Sequence, residues 1–280
     1  MHSKVDYKGG HNLKYVASSH PGEATFTGRA ERISHLLRVA NADPITRILD
    51  IGCGYGDVAL GLGRKGYEVI GADIFLPGVR AASKVSSEMH LNTMFLMSPV
   101  ESLGLRKESV GLAICYNIWE HVENPQALLS QIARVLQPDG TLFMVVPNRF
   151  WIMETHYRLP LLSWFPRRMA DAYLRITRRG TEYDVSCPTW WEFRGSLKSS
   201  GFQVTNLNLY VMKNFKKLYP TPEYLGNAKY RAGSLMSAIL RRLPDSIAHL
   251  FSNLFSEAFF VVARKSSVAG GKSQTGIAED

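Results

Sequence analysis

The sequence has little cysteine, no apolar run of membrane length and no leader-like start. Each lack narrows what the chain can be. Its three cysteines, Cys53, Cys115 and Cys187, show no Cys-x-x-Cys spacing. They read as free thiols in a reducing compartment, and no metal site is expected from them. No apolar stretch approaches the roughly 18 residues that cross a bilayer, and the opening MHSKVDYKGGHNLKY contains no apolar core of a secretory signal. The expectation is a cytoplasmic protein. Internal repeats are also lacking. What is present, 280 residues of which 45% are hydrophobic, suffices for one large domain with a substantial core.

The charge is uneven. Residues 1–148 hold 14 Lys and Arg against 14 Asp and Glu. Residues 149–265 hold 18 against 8, so the whole excess of the +9 chain lies in the second half. Such a surface suits an anionic small molecule, an acidic partner or a membrane surface, and equally a plain solvated face. An RNA substrate also fits a basic chain, but no aromatic-basic RNA-binding signature is visible.

Patterning divides the chain into a polar arm (1–28), a main domain (29–265) and a Gly- and Ser-rich tail (266–280) expected to be disordered. Ile33, Leu36, Leu37 and Ala40 mark an amphipathic helix over 30–40. Strand and helix signals then alternate. Strands are expected at 47–51, 67–73, 93–98, 110–116 and 141–146, with helices at 57–65, 76–90 and from Asn124-Pro125 to the Pro138-Asp139-Gly140 break. This alternation specifies a mostly parallel sheet with helices on both faces. After Asn148 come an aromatic loop (150–165), helices near 168–175 and 189–200, a strand over 202–211 and a last strand at 258–263. Between the last two lies an insertion, 212–257, with two apolar sets at helical spacing divided by Pro244. This pair reads as a packed cap or dimer contact, or as an amphipathic pair lying on a membrane.

The strongest local signal is ILDIGCGYG, residues 48–56. An apolar strand runs into Gly52, Gly54 and Gly56, which let the backbone turn sharply and let a ligand lie against it. The helix that follows offers unpaired N–H groups. Seventeen residues after Gly56 comes Asp73, placed to accept the two ribose hydroxyls of an adenosine. A dinucleotide site would instead show Gly-x-Gly-x-x-Gly; here Asp57 stands where the third glycine would fall and would oppose a pyrophosphate.

Four segments in order, LDIGCGYG (49–56), GADIF (71–75), YNIWEHVENP (116–125) and RVLQPDGTLFMVVPN (134–148), resemble a class I S-adenosylmethionine-dependent methyltransferase of the type 11/type 23 small-molecule group. The resemblance implies a Rossmann-like α/β fold: a seven-stranded, mostly parallel sheet with the last strand antiparallel, plus a substrate cap built from insertions at about 149–200 and 212–257. It implies S-adenosyl-L-methionine as cofactor. Gly52, Cys53, Gly54 and Gly56 would line its methionine part, Asp50 would support the site from below, Asp73 would bind the ribose, Ile74 would lie against the adenine, and Asn117 would sit near the sulfonium. Where the family commonly has an acid after the third strand, this chain has Ser98-Pro99-Val100, so Ser98 or a backbone carbonyl would meet the adenine amine.

The substrate is expected over the strands' carboxyl ends, beneath the loop 147–166. Methyl transfer is an in-line displacement that asks mainly for alignment and exclusion of water. A base is needed only for an acceptor such as a hydroxyl. His156 is the first candidate and His121 the second; each also reads as a structural histidine. The expectation is a methyltransferase acting on a small molecule, with a sugar, lipid-linked or natural-product hydroxyl as acceptor. An RNA methyltransferase and an inactive cofactor-binding scaffold are the alternatives.

Overall fold

The computed structural model describes residues 23–42, 47–220 and 227–265. The arm before Glu23 and the tail after Lys265 lie outside the described residues.

A seven-stranded sheet forms the centre, in the order β3-β2-β1-β4-β5-β7-β6. Its strands are β1 (Ile48–Ile51), β2 (Val69–Asp73), β3 (Thr93–Met97), β4 (Val110–Tyr116), β5 (Leu136–Pro147), β6 (Phe202–Asn206) and β7 (Ala258–Lys265). Strands β1 to β5 pair in parallel, and β7 runs antiparallel to both β5 and β6. The family architecture expected from the motifs is therefore present, antiparallel strand included.

Alternation along the strands builds two cores. Leu49, Ile51, Ala113, Cys115, Leu142 and Met144 face one side and are buried with Leu128, Ile132, Trp190 and Phe193. Ile48, Leu112, Ile114, Phe143 and Val145 face the other, with Ile33, Leu36, Leu37 and Leu62. A period of two in the strands and of three to four in the helices is what lets both faces be covered. The helices that cover them include α1 (Glu23–Val39), α2 (Asp57–Gly63), α3 (Leu76–Glu88), α4 (Pro125–Val135) and α6 (Trp190–Ser199), while α5 (Arg167–Ile176) packs in a separate small cluster with Leu162 and Tyr183. Helix α4 starts as its sequence predicts: Asn124 caps it by accepting the Ala127 N–H, and Pro125 takes the first turn. Helix α6 carries a full capping box between Thr189 and Glu192.

Three expectations are corrected. Helix α1 begins at Glu23, so residues 23–28 are helical rather than part of an arm. Pro138–Gly140 does not separate a helix from a strand: β5 already begins at Leu136 and carries these residues as an irregularity, with pairing to β4 shifting between Val110 and Leu112. The strand expected over 202–211 stops at Asn206, and α7 (Asn208–Lys213) follows. The cause is Asn208. Its buried side chain accepts the Phe260 N–H and donates to Asn253, while Asn206 accepts the Asn208 N–H. Leu207 and Val211, four apart, then face the core as a helix pair.

After α8 (Phe215–Leu218), the insertion forms α9 (Asn227–Leu240) and α10 (Asp245–Phe255), with Pro244 at the break. Leu240 and Ala248 bury against Leu209 of α7, while Leu235, Ile239, Ile247 and Leu250 remain exposed. Among the described residues, no helix is long and apolar enough to cross a membrane.

Candidate active site

The β1–α2 turn is shaped by its glycines. Gly52, Gly54 and Gly56 all have positive φ, at 69°, 53° and 84°. They are not interchangeable. A Cβ on Gly52 would fall 2.0 Å from the Ile118 side chain, so the loop after β4 sits directly on the turn. A Cβ on Gly54 would meet nothing within 4 Å, so the backbone there borders open space. That is the surface a ligand can lie on.

Asp73 ends β2 beside this turn. Its Oδ2 accepts the Gly54 N–H at 2.7 Å and its Oδ1 accepts the Phe75 N–H at 2.8 Å. Two backbone donors fix the carboxylate and leave each oxygen with further accepting capacity. Next to it, Ile74 is an exposed apolar side chain, as an adenine face requires. Asp50 is buried below and accepts the Ala59 N–H at 3.1 Å, tying β1 to α2. Burial pushes its pKa up to about 8. Cys53 is buried and its thiol is pushed far up by burial. Asn117, with φ 55°, turns the chain at the end of β4 and is exposed at the same edge. Asp57, the residue that would oppose a pyrophosphate, pairs with Arg29 of α1 at 3.2 Å. Together the turn, the fixed acid and the exposed apolar neighbour fit an adenosyl ligand without phosphates.

The segment after β3 is held by Ser98. Ser98 is buried, and its hydroxyl donates to the Pro99 and Ser102 carbonyls, both at 3.3 Å. It closes its own loop, which leaves the lone pairs of its oxygen able to accept from an amine. Pro99 and Val100 follow directly, with Val100 opening a short 3-10 turn.

The structure brings His121 and His156 together. Strands β4 and β5 are parallel neighbours, so the loops after them leave the same edge of the sheet. Their rings meet edge to face with centroids 4.9 Å apart. Between them lies Glu120, 1% exposed. Its Oε1 is 3.6 Å from His156 Nε2 and 3.9 Å from His121 Nε2. Glu154, also buried, accepts from His156 Nδ1 at 2.8 Å and from the backbone N–H of His156 and Tyr157. Burial raises Glu120 to about 7, with His156 opposing the rise. Burial lowers His121 to about 4, and His156 adds to that fall. For His156, burial acts downward, but the Glu154 hydrogen bond and the charges of Glu154, Glu120 and Asp184 outweigh it, and the net shift is upward. Neither Glu120 nor Glu154 was among the candidates read from the sequence. The available signal was two acid–histidine pairs, Glu120-His121 and Glu154-x-His156, in loops that follow adjacent strands.

An apolar groove of about 440 Å³ lies further out, between Leu161, Phe165 and the α5 residues Met169, Tyr173 and Ile176. It contains none of the cofactor or cluster residues. It is a surface feature of the added segment, not the reaction centre.

With this geometry in place, comparison with known proteins shows what the chain resembles. Residues 49–144 match the family described as "Methyltransferase domain". The fold recurs in the [4+2]-cyclase SpnF (TM-score 0.52, 18% identity, covering 90% of each chain). It recurs again in a Haemonchus contortus phosphoethanolamine N-methyltransferase solved with S-adenosyl-L-methionine (TM-score 0.52, 15% identity, 85% of this chain and 52% of that one). These likenesses carry the fold alone, and a cyclase among them shows that the fold does not fix the reaction. Among sequence relatives, a ubiquinone biosynthesis O-methyltransferase of Parvibaculum lavamentivorans is 30% identical over 146 residues, 50% of this chain and 56% of that protein. The corresponding enzyme of Rickettsia akari is 27% identical over 148 residues, 51% of this chain and 57% of that protein. The chain thus spans little more than half the length of the curated relatives it matches. The matched segment, about a third of the chain, and the observed sheet are consistent with a class I S-adenosylmethionine-dependent methyltransferase.

Proposed function

We propose that this protein transfers a methyl group from S-adenosylmethionine to a hydroxyl oxygen of a small molecule. The observation that carries the reading is the pairing of an open Gly54 surface with the doubly anchored Asp73 carboxylate. When bound, S-adenosylmethionine supplies a methyl carbon on a sulfonium with a neutral leaving group. Asp73 would hold the ribose, Ile74 the adenine, and the 52–56 turn with Asn117 the methionine end. Ile118, seated on Gly52, joins that turn to the Glu120–His121–His156 cluster two residues further on. The acceptor hydroxyl would dock at this cluster, which supplies the polar groups needed to handle its proton. The relatives named as O-methyltransferases support an oxygen acceptor.

The test is transfer from methyl-labelled S-adenosylmethionine into a panel of hydroxylated, amino and carboxyl acceptors. A labelled methyl ether is expected. Label found only on nitrogen or carbon acceptors would overturn the oxygen assignment.

The acceptor's remainder would lie toward the basic half. Ile176 of α5 is 79% exposed and Met169 is exposed beside it, flanked by Arg167, Arg168 and Arg175. Apolar side chains ringed by arginines suit an acidic lipid-linked acceptor or an anionic bilayer surface. Binding to phosphatidylglycerol vesicles should fall steeply as salt rises past about 0.1 M, where the screening length drops to about 10 Å. Binding that ignores salt, or none at all, would leave the arginines as an ordinary solvated face.

A further inference from the structure

We propose that Glu120, His121 and His156 form a binding site for a divalent transition-metal ion, with Glu154 as the positioning residue behind His156. The inference deepens the methyl-transfer reading and rests on it only for the ion's use in the reaction.

The polar groups of this cluster are incompletely satisfied. Both Glu120 carboxylate oxygens are buried and have no hydrogen-bond partner. A buried acid without a partner is costly. Among the described residues, no lysine or arginine pairs with Glu120 or Glu154. The nearest groups are imidazole nitrogens. Because His156 Nδ1 lies 2.8 Å from the Glu154 carboxylate, its proton sits there and donates. Its Nε2 faces the Glu120 carboxylate 3.6 Å away. His121 turns its Nε2 to the same oxygen at 3.9 Å. Three groups able to ligate a metal therefore converge.

One donor atom from each of the three residues lies within 4.8 Å of the others. Around an ion with bonds of about 2.1 Å, such donors stand roughly 3–3.5 Å apart, so modest closure completes the contacts. A carboxylate oxygen with two imidazoles suits Zn²⁺, Mn²⁺, Co²⁺ or Fe²⁺ better than Mg²⁺ or Ca²⁺, which favour oxygen throughout. The acid behind a ligating histidine is the usual outer support of such sites. Three protein donors leave positions for the acceptor. The acceptor hydroxyl, its pKa lowered there, would lose its proton to solvent. Its oxygen then forms the new O–C bond as the methyl carbon's bond to sulfur breaks, giving the methyl ether and neutral S-adenosylhomocysteine.

The test uses the full chain, without a histidine tag, stripped by chelator. Co²⁺ is titrated as the probe and Zn²⁺ as competitor. One equivalent should bind with a visible ligand-field spectrum that Zn²⁺ abolishes. Glu120→Gln and His156→Gln should weaken binding roughly a hundredfold, and Glu154→Gln about tenfold. Thermal melts check folding; if Glu120→Gln does not fold, His121→Gln, on the exposed side of the cluster, carries the same expectation. No uptake of Co²⁺, Zn²⁺ or Mn²⁺ by the parent chain, or unchanged uptake in the folded variants, overturns the site. Calorimetry of S-adenosylhomocysteine on the metal-free chain separates the two readings. Cofactor binding without metal uptake sinks the metal site alone. Metal uptake without cofactor binding sustains the site and sinks the methyl-transfer reading.

Discussion

The two halves of the chain solve different problems. Residues 1–148, with no net charge, include β1 to β5 and hold the glycine turn, Asp50 and Asp73. Residues 149–265, with a surplus of ten positive charges, add the aromatic loop, α5 and the α9–α10 pair around the strands β6 and β7. On the proposed reading the first half would recognise an adenosyl group whose shape never changes, so short, stereotyped backbone features would suffice. On the same reading the second half would face the acceptor, and its surface is individual. The Glu120–Glu154 cluster is where the halves meet, one acid from each.

The sharpest way to break this comparison lies within the turn itself. Gly54→Ala should nearly abolish cofactor binding while costing the fold only the strain of a positive φ, about 1 kcal/mol. Gly52→Ala adds a clash with Ile118 to the same strain, so its melting temperature should fall several degrees further. Equal melting temperatures in the two variants would contradict the different roles given to them.

A second variant probes the other half. Asn208→Ala removes the acceptor for the Phe260 N–H and the donor to Asn253, both inside the protein. The expected loss is about 1–3 kcal/mol of stability by denaturant titration, with cofactor affinity unchanged in the folded protein. A large fall in affinity would mean that the halves are coupled through β7.

A further variant concerns Asp50. Its folded pKa, raised to about 8 from 3.8 by burial, means that the native state holds a proton that the unfolded chain releases. Its contribution to stability is therefore complete below about pH 4 and is lost as pH rises toward 8. Asp50→Asn keeps an oxygen for the Ala59 N–H and should flatten the pH dependence of ligand-free unfolding across that window. An unchanged slope would show that Asp50 is ionised in the native state.

The same division decides what the sequence reveals. The turn, Asp73, the Asn124 cap and the Pro244 break are local: each depends on a few neighbouring residues whose conformational preferences are strong. The irregularity at Pro138–Gly140 depends on pairing with β4. The end of β6 depends on Asn208 bonding to Phe260, 52 residues away, which no periodicity records. The early start of α1 at Glu23 carried no apolar stripe to mark it. The candidate site divides likewise: its cofactor side is written in one segment and one acid, whereas Glu120, His121, Glu154 and His156 become a unit only because β4 and β5 are neighbours.

The central claim is that the 52–56 turn and Asp73 bind an adenosyl cofactor without phosphates. Calorimetry on the intact chain tests it most directly, with S-adenosylhomocysteine and NAD as alternative ligands and Asp73→Ala beside the parent protein. The account predicts one S-adenosylhomocysteine per chain, no measurable NAD binding, and at least a tenfold loss of affinity in Asp73→Ala, about 1.4 kcal/mol. Tight NAD binding, or an Asp73→Ala variant that binds S-adenosylhomocysteine as well as the parent does, would contradict it.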